Sequence, residues 1–298
     1  MTAPSRPVQG ILWMVATGLC FIAVTAVVKH SAQDLPAAQA AFLRYLLGLV
    51  FLVPVARALL SVRLSRQDMA VFAGRGVAHA LGVILWFYAM TQIPIAEVTA
   101  MNYLNPVYVT LGAALFLGER LAARRLIAVV VALLGVMVIL RPGFREVETG
   151  HLAMLATAML FAASYLSAKA LADRHSATLV VAILSITVTV ALAPFAALVW
   201  VRPSVADLGW MFLVAAFATA GHYAMTRAFA AAPVSVTQPV AFLQMVWAVL
   251  LGWAVFAEPV DLYVVLGAGL IIAAVSFIAW REAVLRRGVT PDAMGTKH

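Results

Sequence analysis

Ile95–Leu117 reads IAEVTAMNYLNPVYVTLGAALFL, and Val234–Phe256 reads VSVTQPVAFLQMVWAVLLGWAVF. Each run follows a proline, Pro94 or Pro233, and each leads to an acidic residue, Glu119 or Glu258, so the two lie 139 positions apart. Either run is long enough to cross a hydrocarbon core as a helix, which takes about 20 apolar residues. Thr99, Asn102 and Asn105 fall at i, i+3 spacing in the first run, with Tyr103 beside them. Three-residue steps stay on one broad helix face. At the same offset Gln238 matches Thr99 and Gln244 matches Asn105. Two apolar spans with matching polar stripes predict paired membrane helices whose polar faces turn inward, either to line a pocket or to hold helices together by hydrogen bonds.

The rest of the chain fits that solvent. Hydrophobic residues make up 65% of the 298 positions and charged residues 11%, with a mean hydropathy of +1.03. A soluble domain is about half apolar and about a quarter charged. The fold class expected is an all-α integral membrane protein with ten transmembrane helices, near 9–28, 37–56, 69–91, 95–117, 123–140, 151–171, 177–200, 205–230, 234–256 and 261–280. Connections are short. The first run is too long for a signal-peptide core and reads as a retained span. Ten-residue alternating segments, as in an outer-membrane barrel, are absent.

Positive charge orients the spans. Of the 20 Lys and Arg residues, fourteen fall on one alternating set of connections and four, Lys29, Arg141, Arg145 and Arg202, on the other; Arg44 and Arg75 lie within spans. The positive-inside rule then puts both termini in the cytoplasm and residues 141–150 on the opposite side of the cytoplasmic (inner) membrane. The net charge of +8 is thus a topology signal, and nucleic acid is not an expected partner. The single cysteine, Cys20, allows no disulfide within the chain.

The halves resemble each other. At an offset of 140, Met14/Met154, Thr17/Thr157, Phe21/Phe161 and Lys29/Lys169 coincide; at 139, Gly82/Gly221, Pro94/Pro233 and Glu119/Glu258 do. Residues 1–145 and 146–298 are therefore two five-helix units. Five is odd, so the second copy enters the membrane from the opposite side. Inverted repeats of this kind are a mark of secondary transporters, with the site at the repeat interface.

Tyr88-Ala89-Met90 through Pro94, Asn102-Tyr103-Leu104-Asn105-Pro106 and Leu117-Gly118-Glu119-Arg120-Leu121, echoed by Ala228 through Pro233 to Phe256-Ala257-Glu258-Pro259, resemble the drug/metabolite transporter superfamily in its ten-helix EamA branch. The resemblance covers residues 8–282. It implies a 5+5 bundle carrying metabolites, amino acids, vitamins or drugs through a central cavity. The second copy departs from the pattern, with Gln244-Met245 where the first has Asn105-Pro106.

Polar groups within lipid are costly and mark candidate site residues. Arg44 sits about 10 Å into the second span by helical rise; it either clamps an anion or bonds to carbonyls of a neighbouring helix. Arg75 lies nearer a span end and can snorkel. Substrate-binding candidates are Arg44, His79, Trp86, Thr99, Asn102, Tyr103, Asn105, Tyr165, His222, Gln238 and Gln244. Glu97, His79 and His222 are the candidates for proton coupling. Tyr223 is a further polar group in its span. Stripes of small residues, Gly74/Ala78/Gly82 and Ala216/Ala220/Ala224/Ala228, predict close helix approach. Glu119 and Glu258 suit helix-end contacts.

No acidic residue lies in mid-membrane, so an obligatory sodium site is not expected. Nucleotide-binding loops, HExxH, GxSxG and paired acidic metal motifs are absent, so no metal or cofactor is called for and an enzyme is not expected. The function read from the sequence is a secondary transporter of a small organic metabolite: an amino acid, a vitamin such as a flavin, or a related planar or anionic solute. The alternatives are a membrane-embedded enzyme acting on a lipid-like substrate and a non-transporting receptor or scaffold. Membrane lipid and the solute are the expected partners, in a monomer or homodimer.

Overall fold

In the computed structural model the described residues are 6–31, 35–56, 59, 62, 64–117, 123–172, 174–232 and 234–287. They form α1 (Pro7–Ser31), α2 (Ala37–Gly48, continued by a 3-10 segment, Leu49–Val55), α3 (Arg66–Gln92), α4a (Ile95–Asn102), α4b (Asn105–Leu117) and α5 (Ala123–Leu140). The second half gives α6 (Thr149–Ala172), α7 (Ala177–Leu198), α8 (Val205–Ala231), α9a (Val234–Ala241), α9b (Leu243–Phe256) and α10 (Leu262–Arg287).

α5 shows why lipid must be the outer solvent. Ala128, Val129, Ala132, Gly135, Val136 and Ile139 are buried, while Leu126, Ile127, Val130, Leu133, Leu134 and Met137 are exposed. Both faces follow the helical period, and both are apolar. In water the second stripe would be an unsupported hydrophobic patch; in hydrocarbon it costs nothing.

Nine helices among the described residues are long and apolar enough to cross a membrane. The fourth span is the one not counted, because it is not the continuous helix expected over 95–117. It breaks between α4a and α4b. Pro106 has no N–H, so the Asn102 carbonyl lacks its i+4 donor. The Tyr103 and Leu104 amides tighten onto Ala100 and Met101 oxygens at 3.2 and 3.1 Å. The ninth span breaks at Phe242, which is 139 positions after Tyr103. The two broken corners touch: the Tyr103 and Phe242 rings meet edge-on, centroids 5.3 Å apart.

Contacts between helices repeat under exchange of the halves. α1 packs along α8 as α3 packs along α6; α2 lies against α7; α5 crosses α10; and α3–α7 has its counterpart in α8–α2. Single residues follow the same exchange. A side chain at Gly82 would collide with the Phe161 ring at 2.7 Å, and one at Gly221 would press on Cys20 and Phe21. Glycine at the matched positions admits the matched phenylalanine from the other half. α3 and α8 also start alike: Ser65 accepts the Asp68 amide at 3.0 Å, and Ser204 accepts the Asp207 amide at 3.1 Å, each capping a helix start.

The small-residue stripe on α3 differs from expectation. Gly82 and Gly76 are the close approaches, the latter against Thr187 of α7, while nothing lies within 4 Å of an added Cβ at Gly74. The four-residue step was therefore only partly the contact line.

Candidate functional site: a central chamber closed at one end

Ten crossings return the chain to the end where it began, so the bundle has a terminal end and a far end. The far end is sealed by charge. Glu97 takes two hydrogen bonds from Arg145, at 3.0 and 2.7 Å, and also meets His151, whose side chain is fully buried. The Glu148 amide donates to His151 Nδ1 at 3.0 Å; that nitrogen is therefore the acceptor, and Nε2 carries the proton toward Glu97. Hydrogen bonds to Glu97 raise the Arg145 pKa above its ordinary value. Arg141 pairs with Asp261 and lies over the Tyr263 ring.

Beside this cluster Lys29 pairs with Glu258 and donates to the Ile93 carbonyl at 2.9 Å. Glu258 in turn accepts the Ile95 amide at 2.9 Å, capping α4a from the other half of the chain. That is the helix-end contact expected of Glu258; Glu119 lies outside the described residues. Because the Ile95 amide is held by a carboxylate, Glu258→Ala should speed its hydrogen exchange by roughly 10- to 150-fold, the equivalent of about 1.5–3 kcal/mol for a charge-assisted bond. Exchange mass spectrometry on a peptide spanning Ile93–Val98 reads this directly. An unchanged rate would mean that the corner is held by packing alone.

Toward mid-bundle the helices part. One cavity of about 190 Å³ is lined by Phe21, Arg44, Tyr45, His79, Trp86, Asn102, Phe161, Tyr165, His222 and Gln244, among others. A second of about 310 Å³ shares Arg44, Tyr45, His79, Tyr165 and His222 and runs on past Gly48, Phe51, Arg75 and Ser185. Shared walls make them one chamber, reaching from mid-bundle toward the terminal end. α5 and α10 contribute nothing to it.

Aromatic and amide groups shape the deep part. His79 stacks on Phe161 with centroids 4.7 Å apart, and its ring nitrogens meet the Tyr45 hydroxyl at 3.0 Å and Ser164 at 3.3 Å. Trp86 stands edge-on to Phe161, and among the described residues its buried indole N–H meets no acceptor. His222 packs edge-on to Phe21. Asn105 Nδ2 donates to Asn102 Oδ1 at 2.9 Å, which leaves the Asn102 amide N–H groups for the chamber.

Of the candidates, Arg44, His79, Trp86, Asn102, Tyr165, His222 and Gln244 share the chamber. Thr99 and Asn105 are buried away from it, and Tyr103 sits at the helix break. Gln238 lies on α9a with its side chain outside the described residues. Glu97 belongs to the far-end cluster. Tyr223 turns outward to Trp13 and Arg227. Arg75 does not snorkel: it is buried and donates to the Val180 carbonyl of α7 at 2.9 Å. Tyr45 and Phe161 were missed as wall residues. Phe161 carried a signal, its match with Phe21 across the repeat; Tyr45 carried none beyond its place next to Arg44.

A bundle of two inverted halves around a chamber closed at one end has the architecture of a secondary carrier. The EamA-like transporter family matches the chain twice, over residues 8–141 and 148–280, and the chain belongs to it. A riboflavin transporter of Rhizobium johnstonii is 33% identical over 94% of this chain and 93% of its own length. The pseudopaline exporter CntI of Pseudomonas aeruginosa is 27% identical over 89% and 94%. An S-adenosylmethionine uptake transporter of Rickettsia felis is 24% identical over 97% and 96%. A solved crystal structure shares the fold, with a TM-score of 0.57 and 19% identity over 92% of this chain and 97% of that one. The protein is an integral, multi-pass transporter of small metabolites; the enzyme and scaffold readings are not favoured.

Proposed function

We propose that this transporter carries a planar, hydrogen-bonding aromatic metabolite of the flavin kind across the cytoplasmic membrane by alternating access, with both termini in the cytoplasm. The observation that supports the reading is the deep chamber wall. Trp86, His79, Phe161, Phe21 and Tyr165 offer ring faces and edges, while Asn102 and Gln244 offer amides. Aromatic walls with a few directed polar groups suit a flat heterocycle. Several relatives named as riboflavin transporters favour the same solute class. In this orientation the open end of the chamber faces the cytoplasm, and the Lys29–Glu258 and Glu97–Arg145 pairs close the outside.

The test is flux of riboflavin into proteoliposomes, with sodium and proton gradients imposed in turn. Uptake that needs no sodium is expected. Asn102→Leu should lower the rate by at least about tenfold, because a chamber amide loses its bonds to solute, while insertion and thermal unfolding stay close to wild type. An unchanged rate would make Asn102 a packing residue that serves only to hold Asn105. Reporter fusions that place either terminus outside would overturn the orientation.

A further inference from the structure

We propose that the chamber contains an anion subsite centred on Arg44, so that the physiological solute carries a carboxylate or phosphate beside its planar ring. The inference rests on the reading of the chamber as the solute site and adds to it a charge that this reading does not require.

Arg44 lies in the middle of α2, and its guanidinium carbon sits 3.9 Å from the centroid of the Tyr45 ring. Among the described residues it has no ion pair and no hydrogen bond; its guanidinium rests on that ring. Arg75 faces the same chamber with one nitrogen on the Val180 carbonyl, a contact that orients the fork and leaves its charge uncompensated. Among the described residues no aspartate or glutamate lines either part of the chamber. Several cations at the ends of the bundle differ. Lys29, Arg141 and Arg145 at the far end each have a carboxylate, and so does Arg174, which meets Asp68 at 2.7 Å at the terminal end. These four cations are thus neutralised near the water interfaces, where charge is cheap, while Arg227 toward the terminal end rests on the Trp13 and Tyr223 rings. Among the described residues Arg44 and Arg75 have no carboxylate although they lie deeper in the bundle, where charge is dear. The counter-ion that fits the arrangement is one that arrives with the solute.

Position sets where that charge sits. Arg44, Tyr45, His79 and His222 wall both parts of the chamber. A ring lodged beside Trp86 and Phe161 therefore directs a side arm past Arg44. A guanidinium there presents paired donors to a planar carboxylate or to two phosphate oxygens, a match that an ammonium does not reproduce.

The experiment uses two ligand pairs, each with one ring and two charges: riboflavin against flavin mononucleotide, and indole-3-acetamide against indole-3-acetate. Equilibrium dialysis with the purified full chain gives the four affinities for wild type, Arg44→Gln and Arg44→Lys, with thermal unfolding to show that each variant is folded. The anionic member should bind tighter by roughly 10- to 150-fold. Arg44→Gln should erase that preference by weakening the anionic member far more than the neutral one, and Arg44→Lys should restore part of it. Preference for flavin mononucleotide assigns a phosphate; preference confined to the indole pair assigns a carboxylate and overturns the flavin reading while keeping the subsite. Neutral members that bind as tightly as anionic ones, or a preference that survives in Arg44→Gln, would overturn the subsite and leave the flavin reading standing. Binding of none of the four would overturn both.

Discussion

Arg145→Ala is expected to destabilise the protein by about 3–5 kcal/mol, the usual cost of leaving a buried charge without its partner. Glu97 is 2% exposed, and without Arg145 its carboxylate keeps only the neutral His151. Glu97→Ala should cost less. The Arg145 side chain is 25% exposed and can turn to water once released. The double variant should be more stable than Arg145→Ala alone, because the second change removes the stranded charge. Reversible unfolding in mixed micelles, read for the wild type and all three variants, supplies the cycle. A double variant less stable than either single one would show that the pair acts by packing and not by charge.

The second large effect lies where α5 crosses α10. A Cβ at Gly135 would come within 2.7 Å of the Gly267 carbonyl oxygen, and Gly267 faces Gly135 in the same way. The obstacle is backbone, which cannot rotate aside as a side-chain tip does. Gly135→Leu should therefore push the helices apart and cost at least the 1–3 kcal/mol typical of overpacking, seen as lost yield of folded protein and a lower unfolding temperature. Gly74→Leu is the control, since nothing lies within 4 Å of its added Cβ; it should be nearly silent. Equal losses at both positions would mean that the backbone contact at Gly135 is not the cause, since Leu is the better helix former at either site, and equal tolerance would mean that the crossing is loose.

Much of the fold was legible because lipid simplifies the problem: with every backbone group bonded inside its own segment, apolar length reports a crossing. The matched Gly82/Gly221 and Phe21/Phe161 were visible as a repeat. That each glycine receives the phenylalanine of the other half was not, because one-dimensional offsets do not say which helices face one another. The site was legible by residue type more than by direction. Asn102 and Asn105 share a stripe at i, i+3, yet the break between them turns one to the chamber and the other inward to hold it. Glu97 was legible as a candidate acid, but its partners Arg145 and His151 lie 48 and 54 residues away, beyond the reach of local pattern. The missing Pro106 N–H accounts for the fault in the fourth span, which was expected to run unbroken; its counterpart at Phe242 has no proline at the matching place, since position 245 is Met.

The faults in the fourth and ninth spans also bear on how such a bundle moves. A continuous helix that bends must give up hydrogen bonds along its ladder, and in lipid no water replaces them. Here the ladder is already interrupted at Tyr103 and at Phe242, and the two interruptions lie ring against ring. A swing of α4a against α4b, or of α9a against α9b, then has fewer backbone bonds to break than the bending of a continuous helix. The barrier to reorienting the halves then falls mainly on the ion pairs at the ends, which water can help to solvate as they part.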